Sequence, residues 1–424
     1  MAENNNIHKH WQVKKLSELI GTDGVFCDGD WIESKDQDIN GEIRLIQLAD
    51  IGDGFFKNKS ERRLTLKRAK ELNCTFLKKG DILVARMPDP LGRSCIFPLE
   101  GEIKYVTAVD VCIIRVSDIF IDRKFLNYII NSPQSRTEIS KLQSGSTRKR
   151  ISRTNLNTIK FPIPPLPEQQ AIVSKIEELL SDLENGKQQL LTAQQHLKVY
   201  RQSLLKAAFE GKLTNKEVKD GELPKGWTSK KLNEIGTWKG GGTPSKSRKD
   251  FWENGDILWV SPKDMKSQKI SETIYKITYE AIENSSTKLI SKGSVLFVVR
   301  SGILRRTLPV ALTISDVTVN QDLQALTPKE VIPEYVFWYV CAKNDDIRKT
   351  CSKDGTTVES IESSLLKNYS IPICSFKEQQ SIIDELGSKL TVCDKMEETI
   401  AQSLLQVKTL RQSILKNAFE GKLI

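Results

Sequence analysis

The chain has 424 residues, 38% of them hydrophobic and 28% charged, and 64 Lys and Arg against 54 Asp and Glu leave a formal net charge of +10. That is apolar material for more than one core, and the basic surplus points to a polyanionic partner. No apolar run approaches the ~20 residues of a membrane span. The first residues lack a signal peptide's basic and apolar regions, and the eight cysteines form no Cys-x-x-Cys pair, so a disulfide scaffold or zinc module is excluded and a reducing, cytoplasmic setting is expected.

Taken in order, the chain states its plan twice. Trp11, Leu16 and Glu18 return in the same spacing as Trp227, Leu232 and Glu234. Lys79-Gly80 opens an apolar run ending at Arg86, and Lys292-Gly293 opens another ending at Arg300. Each pattern reads as a Gly turn feeding a buried strand. The apolar stretch Phe125–Ile130 precedes its counterpart Tyr335–Val340 by 210 residues, and Gly145-Ser146-Thr147 precedes Gly355-Thr356-Thr357 by the same offset. Residues 21–75 and 237–290 share little. Each half is therefore expected to be an α/β domain of short strands, two short helices and a Gly-Ser-Thr loop, followed by a long helix.

The long helices carry the clearest repeat. Glu168-Gln169-Gln170 returns as Glu378-Gln379-Gln380, and the segment from Arg201 to Leu213 returns as Arg411 to Leu423. The offset is 210 at both ends (378 minus 168, 423 minus 213), so no residue is gained or lost between them. Apolar or small residues recur in steps of four and three at 172, 176, 179, 183, 186, 190, 193, 197, 200, 204 and 207, and again at 382, 386, 389, 393, 396, 400, 403, 407, 410 and 414. That is the seam of a helix packed lengthwise on another, weakened by Lys389 and Ser403. Prolines 164, 165, 167 and 372 bar helix upstream, and Gly211 and Gly421 stand where left-handed caps would end it. At ~1.5 Å per residue such a helix runs roughly 65 Å. The expected plan is a first domain at 1–160, its helix at 161–213, a Lys/Glu/Gly-rich linker at 214–226, a second domain at 227–370 and its helix at 371–424. The two helices should pack together as a coiled coil related by an approximate twofold.

Basic residues gather at turns: Lys57, Lys59, Arg62 and Arg63; Arg86 and Arg93; Arg148, Lys149 and Arg150 with Arg153. The second half offers Lys239, Lys246 and Arg248 beside Thr243 and Ser245, then Lys263, then Arg300, Arg305 and Arg306. Lys and Arg among Ser, Thr, Asn and Gln suit duplex DNA, the cations meeting phosphates and the amides base edges. Gly240-Gly241-Gly242-Thr243-Pro244-Ser245-Lys246 lacks phosphate-loop spacing and reads as a mobile loop carrying Lys toward a nucleic-acid backbone. His8, His10 and His196 have no metal-ligand spacing. One enzymatic alternative is a lone nuclease whose magnesium site would use Asp89, Glu102 and Lys104, which match the degenerate Asp…Glu-x-Lys pattern.

Several of these motifs together resemble the specificity subunits of type I restriction–modification systems, over nearly the whole chain. The resemblance rests on Pro162 to Gln170 (Pro-Ile-Pro-Pro-Leu-Pro-Glu-Gln-Gln), both Phe-Glu-Gly-Lys-Leu helix ends, Gly240 to Ser245, and Trp259 to Asp264. It implies a mixed α/β fold with two pseudo-symmetric α/β target-recognition domains, separated by a long antiparallel two-helix coiled coil. Each domain would read one half of an asymmetric bipartite site in double-stranded DNA. The helices would set the spacing and dock two modification (methyltransferase) subunits, through Gln169, Gln170, Ile176, Leu183, Leu190, Leu197, Arg201, Leu204 and Phe209, and Gln379, Gln380, Leu386, Ile400, Val407, Arg411, Ile414 and Phe419. S-adenosylmethionine, ATP and magnesium would belong to those modification subunits and to restriction/translocase subunits, leaving this chain without catalysis, cofactor, metal, membrane contact or obligate small-molecule ligand. A related possibility is the DNA-reading subunit of a system that cuts beside its site. The first domain departs from the pattern, with Asp28-Gly29-Asp30-Trp31-Ile32 in place of the Gly-rich loop.

Overall fold

Neither half of the chain closes on its own sequence. A computed structural model describes residues 10–424 except 22, 118, 216, 220 and 354–357, so His8 and Gly355 to Thr357 lie outside the described residues. The chain forms two compact units, Met1–Leu191 with Ala401–Ile424, and Thr192–Ile400. Each therefore combines the start of one long helix with the end of the other.

In the first unit, the uninterrupted apolar run Ile82–Ala85 is buried at every residue, as a central strand requires. It pairs antiparallel with Ser94–Ile96 and Val111–Arg115, and Val25–Asp28 completes the four-stranded sheet. A three-stranded sheet sets Ile43–Ile46 parallel to Lys104–Thr107 and antiparallel to Arg63–Leu64. The helices Arg123–Ile130 and Pro133–Lys141 start at Asp122 and Ser132, whose side chains accept from the amides of Phe125 and Ser135, satisfying donors a helix start leaves open. Gln12–Lys15 pairs with Lys160–Ile163 and fastens the beginning of the domain to the foot of the long helix.

The second unit repeats this on a larger sheet. Val295–Val298, also fully buried, lies between Leu323–Pro328 and Val310–Thr313, with Gly236–Gly240 and Lys269–Ile270 outermost. A second, four-stranded sheet sets Ile257–Val260 parallel to Val317–Val319. Pro333–Ala342 and Asn344–Thr350 are the counterparts of the paired short helices of the first unit, and Thr228–Lys231 pairs with Ser370–Ile373.

Both long helices span 44 residues, Leu166–Phe209 and Phe376–Phe419. They start later than expected, because 160–163 and 370–373 are strands; Pro162 and Pro372 in those strands have no N–H for a helix. A further short helix, Arg153–Thr158 or Ser363–Asn368, stands before each closing strand. The caps are as expected: Gly211 and Gly421 have φ of 77° and 69°.

The seam differs from expectation in its alternate positions. The covered line runs through 176, 180, 183, 187, 190, 194, 197, 201, 204 and 208, and through 386, 390, 393, 397, 400, 404, 407, 411, 414 and 418, none of them exposed. Both series step by four and three at the 210-residue offset. Tyr200, Met396 and Leu410 are exposed instead. Lys389 lies off the seam, ion-paired to Glu385 at 3.0 Å, and Leu390 takes its place. Neighbouring apolar residues made both phases plausible, and packing chose the one that admits Arg201 and Arg411.

Packing within each unit is antiparallel. In the first, Ile172 and Ile176 share a buried cluster with Leu415, Ala418 and Phe419. In the second, Leu197 and Leu204 pack with Cys393, and Ile400 lies against them.

Candidate nucleic-acid interface

The first basic turn is built round a carboxylate. Asp50 is fully buried; its Oδ1 accepts from the amides of Lys59 (2.6 Å) and Ser60 (2.8 Å), and its carbonyl accepts from the Lys57 amide at 2.7 Å. With the backbone folded inward, the Lys57, Lys59 and Arg62 side chains stay exposed. Arg63 is half-buried and donates to the Gly41 carbonyl.

A second turn projects from residues 144–150. Ser144 and Arg150 exchange backbone hydrogen bonds of 2.8 and 2.9 Å, and Gly145 takes φ 91°. Arg148, Lys149 and Arg150 are exposed and have no side-chain partner among the described residues. Arg86 lies beneath them as a strut, donating to the carbonyls of Ile151 (3.0 Å) and Val109 (3.1 Å) and pairing with Asp28 at 2.9 Å.

Arg93 is not a surface cation. It is 5% exposed and donates to four backbone carbonyls, those of Ile51, Leu48, Met87 and Pro90, at 2.8 to 3.2 Å. Its charge organises the loops around it, and no phosphate reaches it in this conformation.

The Gly-rich loop of the second unit is held tightly, against the expectation of a mobile arm. Gly242 donates its amide to Val319 at 3.0 Å, and its carbonyl accepts from the Trp259 indole and the Thr287 hydroxyl, both at 3.0 Å. Any Cβ on Gly241 would sit 1.8 Å from the Val319 carbonyl oxygen, which explains glycine there. Beyond this anchor, Ser245, Lys246 and Arg248 are exposed. Thr243 is half-buried, its hydroxyl 2.5 Å from Gln321 Oε1. Arg248 pairs with Asp250 and Glu280 and lies 4.3 Å over the Phe251 ring.

Arg300 pairs with Asp322 at 2.8 Å and Arg305 with Glu359 at 2.5 Å. Lys239 donates to the Leu289 carbonyl. Lys246, Lys263 and Arg306 are exposed without an ion pair among the described residues. Exposed pairs in water contribute little, about 0–1 kcal/mol, so phosphates can displace them.

Several long-helix residues are already spent inside the chain. Gln169 is fully buried: its Oε1 accepts from the Asp122 amide at 2.8 Å, and its Nε2 donates to the carbonyls of Pro164 (2.9 Å) and Phe120 (3.2 Å). Gln379 repeats this, accepting from the Ile332 amide and donating to the Cys374 carbonyl. Phe419 packs edge-on against Phe125 at 5.3 Å, and Phe209 against Tyr335 and Tyr339 at 5.1 and 5.2 Å. Their burial makes these four internal anchors of the chain and not the partner contacts expected of them. Their shared offset was the available signal, since it paired them with the apolar helices at 125–130 and 335–340. Ile176, Leu197, Leu204 and Leu386 are buried in the seam, while Leu183, Leu190, Ile400, Val407 and Ile414 are half-buried. Arg201 pairs with Asp394 and Glu397, and Arg411 donates to the Asp53 carbonyl at 3.1 Å. Gln170 and Gln380 remain exposed.

Asp89, Glu102 and Lys104 are exposed, and the Lys104 ammonium stands 5.6 Å from the Phe76 ring. Among the described residues no three His, Cys, Asp or Glu side chains are grouped as a metal ion requires.

Residues 8–193 and 224–406 each match the family model described as type I restriction modification DNA specificity domain. The specificity subunit of the type I restriction enzyme EcoR124I/EcoR124II from Escherichia coli is 35% identical over 288 residues, which span 66% of this chain and 66% of that protein. The MjaIX specificity subunit from Methanocaldococcus jannaschii is 33% identical over 43% of the chain and 42% of its own length. Among solved structures, the HsdS subunit from Thermoanaerobacter tengcongensis has the same fold, with a TM-score of 0.65 at 18% identity over 98% of both chains. A chain from a study of complex assembly and conformational transition of the type I R-M system reaches 0.73 at 19% identity, over 98% of this chain and 99% of its own.

Proposed function

The chain belongs to the type I restriction–modification DNA specificity family, and from that premise we infer that it is the DNA-recognition subunit of such a system. Each unit reads one part of a bipartite, asymmetric duplex site. The observation that carries this reading is the recurrence, in both units, of braced turns bearing exposed basic residues: Lys57, Lys59 and Arg148 to Arg150 in one, Lys246 and Lys263 in the other. Buried anchors (Asp50, and the straps on Gly242) hold the backbone already ordered, so that binding has only the projecting side chains left to fix. The halves keep one scaffold and diverge in residues 21–75 against 237–290, as readers of two different sequences would.

The long helices are the docking surface for two modification subunits. Two repeats at one offset present two similar surfaces, so two copies of one partner follow. The modification subunits bring S-adenosylmethionine and methylate adenine, and restriction/translocase subunits add ATP- and magnesium-dependent chemistry. This chain itself performs none, and it works in the cytoplasm.

The test is single-molecule sequencing of DNA from a methylation-free host expressing this chain with its modification subunit. The expected result is one asymmetric motif of two short parts separated by a fixed gap, methylated in both parts. A continuous motif, or no motif, overturns the reading.

A further inference from the structure

In the second unit the rings of Trp252, Trp259 and Tyr275 stand around a cavity of about 250 Å³ also lined by Lys246, Lys249 and Glu253. The ring centroids are 5.2, 6.0 and 6.4 Å apart and the planes cross at 82°, 82° and 66°. Both indole N–H groups are already used: Trp252 donates to the Ser245 carbonyl at 3.1 Å and Trp259 to that of Gly242 at 3.0 Å. The cavity thus offers ring surface in place of indole donors. Behind it, Phe251, Ile257, Ile277 and Ala281 pack Trp259 into a small core, but Tyr275 is 54% exposed, so the box opens to solvent.

A box of aromatic rings with a carboxylate alone would select a cation. Among the charged groups that line the cavity two ammonium groups outnumber Glu253, and neither Lys246 nor Lys249 has an ion pair among the described residues, so the lining itself carries a positive charge. The ligand that satisfies both features is flat, π-bearing and anionic. The volume falls below the ~300–1,000 Å³ of drug-sized sites, which suits a single heterocycle. In the first unit the Trp31 indole is exposed and donates to Glu33 at 3.2 Å.

We propose that this box is a nucleotide subsite: one nucleobase seats against the rings of Trp252 and Tyr275 above the buried Trp259, and Lys246 and Lys249 neutralise its phosphate. The inference rests on the DNA-reading function and adds to it that the second unit accepts a base outside the helical stack. Stacking of this kind tolerates any base, because every base has a π-face, and a base taken from a duplex must first leave its neighbours.

The test is tryptophan fluorescence of the full chain titrated with dAMP and with a short single-stranded oligodeoxynucleotide. Saturable quenching is expected, with the oligonucleotide affinity falling as salt rises. Tyr275→Ala should weaken binding about tenfold with an unchanged circular dichroism spectrum. Lys249→Glu, an exposed substitution that leaves the rings in place, should weaken it as well and flatten the salt dependence. No quenching, quenching unaltered in both variants, or stronger binding of tetramethylammonium than of dAMP overturns the proposal. Salt-sensitive duplex binding by the assembled complex without dAMP binding defeats the box alone; loss of both defeats the DNA-reading function too.

Discussion

Arg93 and Lys149 are both basic residues beside loops, yet burial gives them opposite roles. The Arg93 guanidinium is saturated by four carbonyls, and removing it leaves buried acceptors open, at ~1–3 kcal/mol for each group left unsatisfied. Arg93→Ala should lower the melting temperature of the first unit. The slope of log affinity against log salt for duplex binding by the assembled complex should not change. Lys149→Ala should do the reverse, reducing that slope by about one with the melting temperature held. Salt-titrated binding and calorimetry on the two variants separate the roles, and equal effects would show that neither reading is right. Both stand beside turns in the sequence; the three-dimensional surroundings give one a structural role and leave the other free.

At the scale of elements, each long helix is locked where it begins. Gln169 and Gln379 reach back to hold an amide and carbonyls of the segments before them. Gln169→Ala should strand the Asp122 amide and the Pro164 carbonyl, costing about 2–3 kcal/mol, or roughly 5–10 °C in the melting of a unit this size. Gln379→Ala should do the same to the second unit, whereas Gln170→Ala, on the exposed neighbour, should shift neither. Scanning calorimetry decides it, and equal shifts for positions 169 and 170 would refute the lock. The glutamine pair was visible in the sequence as a repeated motif, as were the helices' equal length and their glycine caps. Which glutamine faces inward was not visible, because a helix of this period offers adjacent positions to different surroundings.

For the whole molecule, the last residues belong to the first unit. Leu415, Ala418 and Phe419 lie in one buried cluster with Phe125, Ile172 and Ile176. Large-to-small changes at single core sites cost 2–5 kcal/mol, so losing the Leu and Phe side chains together approaches the 5–15 kcal/mol that holds a domain folded. A chain ending at Ile400 should therefore expose residues 10–191 to rapid proteolysis while residues 192–400 keep their resistance. Equal protection of both regions would show that the C-terminal segment is dispensable to the first core.

The duplication, its 210-residue offset, the two long helices with their glycine caps and the positions of the basic turns are properties of the chain read by itself, because repetition, periodicity and turn chemistry are local. The phase of the seam was settled only by folding, as were the inward role of Gln169, Phe209 and Phe419, the burial of Arg93 and the closing of an aromatic box by residues 252, 259 and 275. Each of these depends on which distant surface comes to lie opposite, and burial and pairing are relations between segments that no single window of sequence contains.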